Sequence, residues 1–306
     1  MAPVPSTLSV LVISWNNREF IGRALESLPA DAELVVVDNG STDGSPEEAL
    51  RLRPNARVER LGRNLGFAAA TNIGAALATG TYLLLLDADA EATPGAIDRL
   101  IAHLDAHSAA GAAAGRLLSM TEEPQPDAIR RLPTLASIAA DLLLVSRFWP
   151  SNPVSRRATA TDLDRSLAAD VEHASATCLM VRREAFDRIG GFDPQFAPAW
   201  FEDVDFCHRL QDAGYRIAYV PSAAFRHVGG TSARALGSYE ATRVYFRNLE
   251  RYVHKHHGVT GLLFVKALLV LGMVLRVVGS AARADRLGMR AFSRVLSGTL
   301  RGWRHA

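Results

Sequence analysis

Two carboxylates one residue apart, Asp87 and Asp89, follow the apolar run Tyr82 to Leu86. In an extended segment, side chains two positions apart point to the same side, so this pair can share one hard divalent cation, Mg²⁺ or Mn²⁺. A strand end capped by acidic residues in water would carry the same letters. Asp38 closes a run of valines and leads into Asn39-Gly40-Ser41. That cluster offers an acceptor, amide groups and free backbone N–H groups, which suits the edge of a pyrimidine and its ribose; a β-turn whose Asp and Asn bond their own backbone is the plainer reading. Ser14-Trp15-Asn16-Asn17 is a third polar cluster after an apolar run, and Trp15 fits either a base or a half-buried core position. Glu202 and Asp203 open a helical pattern with Arg209 two turns in, so the positive end of the helix dipole would keep Asp203 ionised and able to take a proton. Acidic residues are also ordinary choices for a first helical turn. His227, before Gly229-Gly230, can ligate a metal through a ring nitrogen or serve only in packing.

These residues need elements to bring them together. Leu8 to Ser14, Leu34 to Val37, Val58 to Leu61 and Tyr82 to Leu86 read as short buried strands. Helices are expected over Arg18 to Leu28, over Pro46 to Arg53 with proline in its first turn, over Gly66 to Ala78, and from a Thr93 cap to about Ala106. Strands alternating with helices imply an α/β fold, a doubly wound and mostly parallel sheet flanked by helices, in which ligands bind beyond the carboxyl ends of the strands. The clusters at Ser14, Asp38 and Asp87 all stand at such ends. Further on, Cys178 to Val181 and Tyr215 to Val220 read as strands, Glu202 to Ala213 as a helix, and the chain after Thr231 as helical. Ser119 to Asp170, with five prolines, is expected to be irregular, a lid, an acceptor loop or a plain insertion.

At 306 residues the chain can hold one large catalytic domain, placed at 1–235 with halves 1–115 and 116–235, and a C-terminal helical extension at 236–306. A net charge of +2 gives no argument for a nucleic-acid partner. The charge is uneven, with ten Lys or Arg and only Asp285 as acid from Arg251 onward. Two cysteines, Cys178 and Cys207, make neither a disulfide framework nor a zinc site and suit a reducing compartment. The apolar run after Met1 to Ser6 is too short for a signal-peptide core, so a cytoplasmic protein is expected. Gly261 to Gly279 is strongly apolar but interrupted by Lys266 and Arg276, and arginines follow it. A helix lying on the inner face of the cell membrane fits this better than one crossing it; packing on the catalytic domain or across a homo-oligomer is the alternative.

Taken in order, SWNN, VDNGSTDGS, GRNLGFAAATNIG, LLLLDADA, WFEDVDFCHRL and FRHVGG resemble the family 2 glycosyltransferases of GT-A fold, especially their bacterial rhamnosyltransferase-like branch. The resemblance covers about Leu8 to Gly258. It implies an inverting, metal-dependent transfer of a sugar, with rhamnose favoured, from a thymidine or uridine diphosphate donor to a hydroxyl of a cell-envelope glycan or polyprenyl-linked acceptor. It also assigns roles. Asp38 would contact the pyrimidine, with Asn39, Ser41, Ser14 and Asn16 in the nucleotide segments, and Asn64, Gly66, Phe67 and Asn72 would stand beside the donor. Asp89 would hold the metal at the diphosphate, with Asp87 the more variable partner and His227 completing the site. Asp203 would be the general base, Glu202 would orient the acceptor, and Trp200 would pack on a sugar, with Arg209 nearby.

Two other functions compete. A nucleotidyltransferase also combines such a sheet with acidic metal ligands, but needs a glycine-rich phosphate loop near the first strand, and Ser14 to Arg18 contains no glycine. A non-catalytic sugar-nucleotide-binding module would have no need of Asp89, Asp203 and His227 together. A Rossmann dehydrogenase lacks its G-x-G-x-x-G after the first strand.

Overall fold

A computed structural model describes residues 7–230 and 237–303. The start of the chain, the boundary expected between 235 and 236, and Arg304 lie outside these residues. Described residues 7–130, 163–198 and 202–230 form one compact unit, and 131–162, 199–201 and 237–303 a second.

The first unit is built on a mixed sheet. Strands β1 (Leu8–Ser14), β2 (Glu33–Asp38), β3 (Arg57–Arg60) and β4 (Tyr82–Asp87) are mutually parallel, with β1 between β2 and β4 and β3 outside β2. Helices α1 (Arg18–Glu26), α2 (Ser45–Leu52) and α3 (Phe67–Leu77) connect them in turn. Beyond β4 the direction changes. A short β5 (Ala90–Ala92) and helix α4 (Ala96–Ala106) lead to β6 (Ala110–Leu118); then come β7 (Ile129–Arg130), β8 (Ala169–Val171), β9 (His173–Ala174) and β10 (Cys178–Arg182). After α8 (Arg183–Arg188) and α9 (Glu202–Asp212), β11 (Arg216–His227) closes the set. The order is β3-β2-β1-β4-β10-β6-β11-β5. Strand β10 is antiparallel to both β4 and β6, β11 is parallel to β6, and β8 pairs with β11. Strands β7 and β9 pair as a separate two-stranded sheet.

Alternation along each strand divides the core into two layers. Val10, Val12, Leu84 and Leu86 meet Ile21, Leu25, Leu100 and Leu104 on one face of the sheet. Leu11, Val35, Val37, Leu83 and Leu85 meet Ala70, Ala75, Phe206 and Leu210 on the other. Both faces are covered at β1, β2 and β4, which is why these three read as continuous apolar runs, whereas β3, RVER at the sheet edge, is not the buried strand expected there.

Several elements depart from expectation. The Thr93 cap is not formed: α4 starts after Gly95, and the Thr93 hydroxyl donates to the Ala224 carbonyl at 2.8 Å. Strand β6, AGAAAGRLL, lacks the bulky β-branched residues of a typical strand. Its small residues suit large neighbours, since a Cβ at Gly111 would meet Tyr215 at 2.8 Å and one at Gly115 would meet the Phe225 ring at 2.7 Å. Nor is 119–170 irregular throughout. It holds α5 (Leu135–Leu142), α6 (Val145–Phe148) and α7 (Pro153–Ala158), with Pro153 in the first turn of α7, where proline is tolerated. Thr134 caps α5 in a reciprocal arrangement with Ser137.

These three helices belong to the second unit, with α10 (Ser238–Ala282) and α11 (Arg286–Arg301). Helix α10 is two helices meeting at Gly258, where φ is 68°. Val253, Val265, Leu269 and Met273 are buried in it, and α5 and α11 pack against it. The charges that interrupt its apolar run are satisfied inside the unit. Arg276 donates to the carbonyls of Leu142 (2.6 Å) and Asp141 (2.9 Å), and Lys266 Nζ lies 3.4 Å from the buried Glu250.

Candidate active site

Register places the polar clusters on one rim. Ser14 stands opposite Asp38 at the ends of β1 and β2, and Ile13 stands opposite Asp87 at the end of β4. The loops after β1 and β2 are tied together. Asn16, at φ 55°, accepts from the Thr42 N–H at 2.9 Å, and its own N–H donates to Ser41 Oγ at 2.9 Å. The Asp38 carboxylate accepts the Ser41 N–H at 3.2 Å. Asn39 donates to Asn64 Oδ1 at 3.0 Å and accepts the Leu65 N–H at 2.7 Å. Gly40, at φ 82°, must be glycine, because a Cβ would fall 2.6 Å from the Arg63 backbone. Ser14 Oγ is buried with no hydrogen-bond partner among the described residues. The result is a rigid pair of loops with Ser14 and Asp38 buried at their base.

The element beginning at Asn64, expected beside the donor, is held by contacts within the fold. Asn64 Oδ1 accepts the Gly66 N–H at 2.8 Å. Gly66, at φ 88°, lets the chain pass close to Ala197, whose Cβ would lie 2.9 Å from an added methyl. The Phe67 ring stacks edge-on against Phe192. Asn72 donates to the Phe192 carbonyl and accepts the Phe192 N–H, both at 2.8 Å. Phe67 and Asn72 thus fasten α3 to the Gly191-Phe192 turn. Arg209 is likewise held within the fold: it donates to Asp205 and to the Ile189 carbonyl, both at 2.8 Å, and sits over the Phe206 ring. Trp200 is in the second unit, at φ 68°, with its carbonyl accepting from Asn248 at 3.1 Å.

Asp87, Asp89 and His227 do converge, with ligand atoms all within 4.8 Å of one another. His227 Nε2 lies 3.5 Å from Asp89 and 3.8 Å from Asp87. The far side of the ring is fixed, since Nδ1 meets Gln125 Oε1 at 2.9 Å while Gln125 Nε2 donates to the His227 carbonyl at 2.8 Å. The Gln125 amide thereby turns Nε2 toward the carboxylates. Burial and the neighbouring Asp89 push Asp87 up to about 6. Burial would depress His227, but its bond to Asp89 and the charges of both aspartates raise it instead. Two carboxylates crowded this closely have an electrostatic deficit that a divalent cation would relieve, and two oxygen donors with one imidazole suit Mn²⁺ or Mg²⁺.

The second acidic pair opens α9. Burial, then the neighbouring Asp203, pushes Glu202 well above the usual carboxylate range, and its Oε2 has no hydrogen-bond partner among the described residues. Asp203 behaves in the opposite way. Burial would raise it, but the His173 ring, 3.3 Å from Oδ2, and the Val204 N–H on Oδ1 pull it below its ordinary value. Asp203 keeps 22% of its side chain exposed, so it is both ionised and reachable. The charge of Asp203 reaches Asp87 and that of Asp87 reaches Glu202, so the two acidic groups lie within electrostatic range of each other. Gln125 and His173 escaped the sequence reading. Each is a single polar residue in a stretch without periodicity, and only the pairing of β7 with β9 and the length of β11 bring them in.

Residues 9–190 match glycosyl transferase family 2, and residues 174–278 match glycosyl transferase family group 2. The N-acetylglucosaminyl-diphospho-decaprenol L-rhamnosyltransferase of Mycobacterium tuberculosis is 32% identical over 235 residues, 72% of this chain and 75% of the relative. Solved structures share the fold. The mannosyltransferase of Pyrobaculum calidifontis, in complex with GDP-Man and Mn²⁺, has a TM-score of 0.53 at 18% identity, over 97% of this chain and 88% of its own. TarS 1–349 of S. aureus has a TM-score of 0.53 at 16% identity, over 98% and 93%. With more than half its length matched and these relatives beside it, the chain belongs to glycosyl transferase family 2, in its rhamnosyltransferase-like branch.

Proposed function

We propose that this glycosyltransferase is an inverting, divalent-cation-dependent enzyme that moves a sugar, rhamnose by analogy with its relative, from a thymidine or uridine diphosphate donor to a hydroxyl of a lipid-linked glycan. The observation that carries the proposal is the converging Asp87, Asp89 and His227 cluster, together with the adjacent carboxylates Glu202, shifted up by burial, and Asp203, shifted down against its burial by His173. In a direct displacement the anomeric C–O bond to the diphosphate breaks as the acceptor oxygen attacks from the opposite face, and one such step inverts the centre. Asp203 takes the proton of the attacking hydroxyl. Glu202, protonated, can donate a hydrogen bond and so orient the acceptor or the sugar. Asp87, Asp89 and His227 would hold the cation, which supplies positive charge against the departing diphosphate. Ser14, Asp38 and Asn39, at the ends of β1 and β2, would meet the base and ribose. No general acid is required, because the leaving group is already an acidic phosphate.

The deciding experiment measures sugar transfer with and without Mn²⁺, in wild type and Asp89→Ala. Transfer should stop in chelator and return with Mn²⁺, while the variant keeps its melting temperature and stays inactive. Full transfer in chelator would remove the metal from the proposal. Asp87→Asn should cost less than Asp89→Asn, since water can replace one outer carboxylate.

The acceptor side of the proposal places the enzyme in the cytoplasm, on the inner face of the membrane, through α10 and α11. Support comes from the apolar residues that α10 leaves exposed, Leu263, Phe264, Leu271, Val274, Leu275 and Val278, and from the arginines of α11. A lipid-linked acceptor would be met at such a surface.

A further inference from the structure

Helix α9 is fastened to the segment around β9 at three successive turns of one face. Residues 203, 207 and 211 are four apart and therefore lie above one another on the helix. Cys207 Sγ donates to the Ala174 carbonyl at 3.5 Å, and Gln211 Nε2 donates to the Glu172 carbonyl at 2.6 Å. At the first turn the contact differs in kind: His173 Nε2 lies 3.3 Å from Asp203 Oδ2, side chain to side chain. Two links to backbone carbonyls already dock the helix. The histidine is 7% exposed, so the docked segment encloses its ring on the inner side of a carboxylate that is open on the other. The strand is itself anchored, through the pairing of β7 with β9 and through the Ser175 N–H on the Ala128 carbonyl at 2.9 Å.

We propose that His173 is the positioning residue for Asp203: it fixes the plane of the base's carboxylate from the β9 side, so that the remaining oxygen lone pairs face the acceptor hydroxyl. The Val204 N–H donates to Oδ1 from the helix, and the imidazole stands 3.3 Å from Oδ2 on the strand side. With a hydrogen bond on one oxygen and the ring against the other, rotation of the carboxylate about its Cβ–Cγ bond is resisted as the hydroxyl approaches. A misplacement of about an ångström in such a group can cost about a hundredfold in rate. The inference rests on Asp203 being the base.

Amide isosteres separate position from packing. In His173→Gln the amide nitrogen stands where Nε2 stood and can reach Asp203; in His173→Asn it stands where Nδ1 stood and cannot. Full-length wild type and both variants are assayed for kcat, donor KM and acceptor KM, with melting temperatures measured in parallel and Asp203→Asn as the control. His173→Asn should lose about tenfold to a hundredfold in kcat with donor KM unchanged within about threefold, and His173→Gln should recover most of that loss at a similar melting temperature. Equal activity in the two variants, whether both normal or both impaired, overturns the positioning role, because reach would then not matter. If Asp203→Asn transfers sugar at the normal rate, the fault lies with the assignment of the base.

Discussion

The adjacent carboxylates Glu202 and Asp203 are shifted in opposite directions, Glu202 up by burial and by Asp203, and Asp203 down, against its burial, by His173. The neighbour that distinguishes them is His173, whose Nε2 lies 3.3 Å from Asp203 Oδ2. Environments that separate two like carboxylates suit them to different roles, here a base at Asp203 and an orienting group at Glu202. Asp203→Asn keeps the shape of the side chain and cannot take the proton. We expect it to abolish transfer while donor affinity, read by calorimetry, stays within about tenfold, or about 1.4 kcal/mol. A normal transfer rate in this variant would move the base elsewhere, with Glu202 the next to test. The same pair shows what sequence could and could not reveal. Acidic residues in a first helical turn are legible as such, but the partner that distinguishes them is thirty positions earlier in the chain.

At the scale of elements, legibility followed burial. The parallel strands β1, β2 and β4 are covered on both faces, so Val and Leu runs announced them, and their carboxyl ends located Ser14, Asp38 and Asp87. Strand β6 was unreadable because its neighbours supply the bulk and it supplies only Ala and Gly. The helices within 131–162 were obscured by prolines that in fact stand before or in the first turn of a helix. Asn72 illustrates a subtler difficulty. A motif places it by order among donor-side residues, yet its amide satisfies both backbone groups of Phe192. Removing it leaves a part-buried backbone N–H and carbonyl without their partner, and since water can replace part of each bond the two together cost about 1–3 kcal/mol. Asn72→Ala should therefore lower unfolding stability by about 1–3 kcal/mol in urea titration, with donor affinity little changed in the fraction that remains folded. Unchanged stability with lost donor binding would return Asn72 to the donor site.

At the scale of the whole molecule, the C-terminal stretch is one-sidedly basic, with ten Lys or Arg against Asp285 alone from Arg251 onward. Helix α10 contains a segment apolar enough, at a mean hydropathy of 2.3, and long enough to cross a membrane. Crossing would tear Arg276 from the carbonyls of α5 and Lys266 from Glu250, so a surface location is the reading that leaves the second unit intact. The exposed residues fit that location. Leu263, Leu271, Val274 and Val278 recur at intervals of eight, three and four, which aligns them on one side of the helix, opposite the buried Val265, Leu269 and Met273. Arg283, Arg286, Arg290, Arg294 and Arg301 follow, each worth about 1 kcal/mol close to an anionic leaflet. Deleting the helices would uncover the packing of α5, so point substitution is the cleaner test. Leu263→Glu, Leu271→Glu and Val278→Glu combined change exposed positions alone and set negative charge against the lipid. Wild type should cosediment with vesicles rich in anionic lipid and lose that binding as salt rises. The triple variant should stay in the supernatant with its melting temperature and its hydrolysis of soluble donor unchanged. Equal sedimentation of the two proteins, or a wild type that never binds vesicles, would assign the apolar stripe to packing against a second copy, which sedimentation velocity of the same pair would then detect.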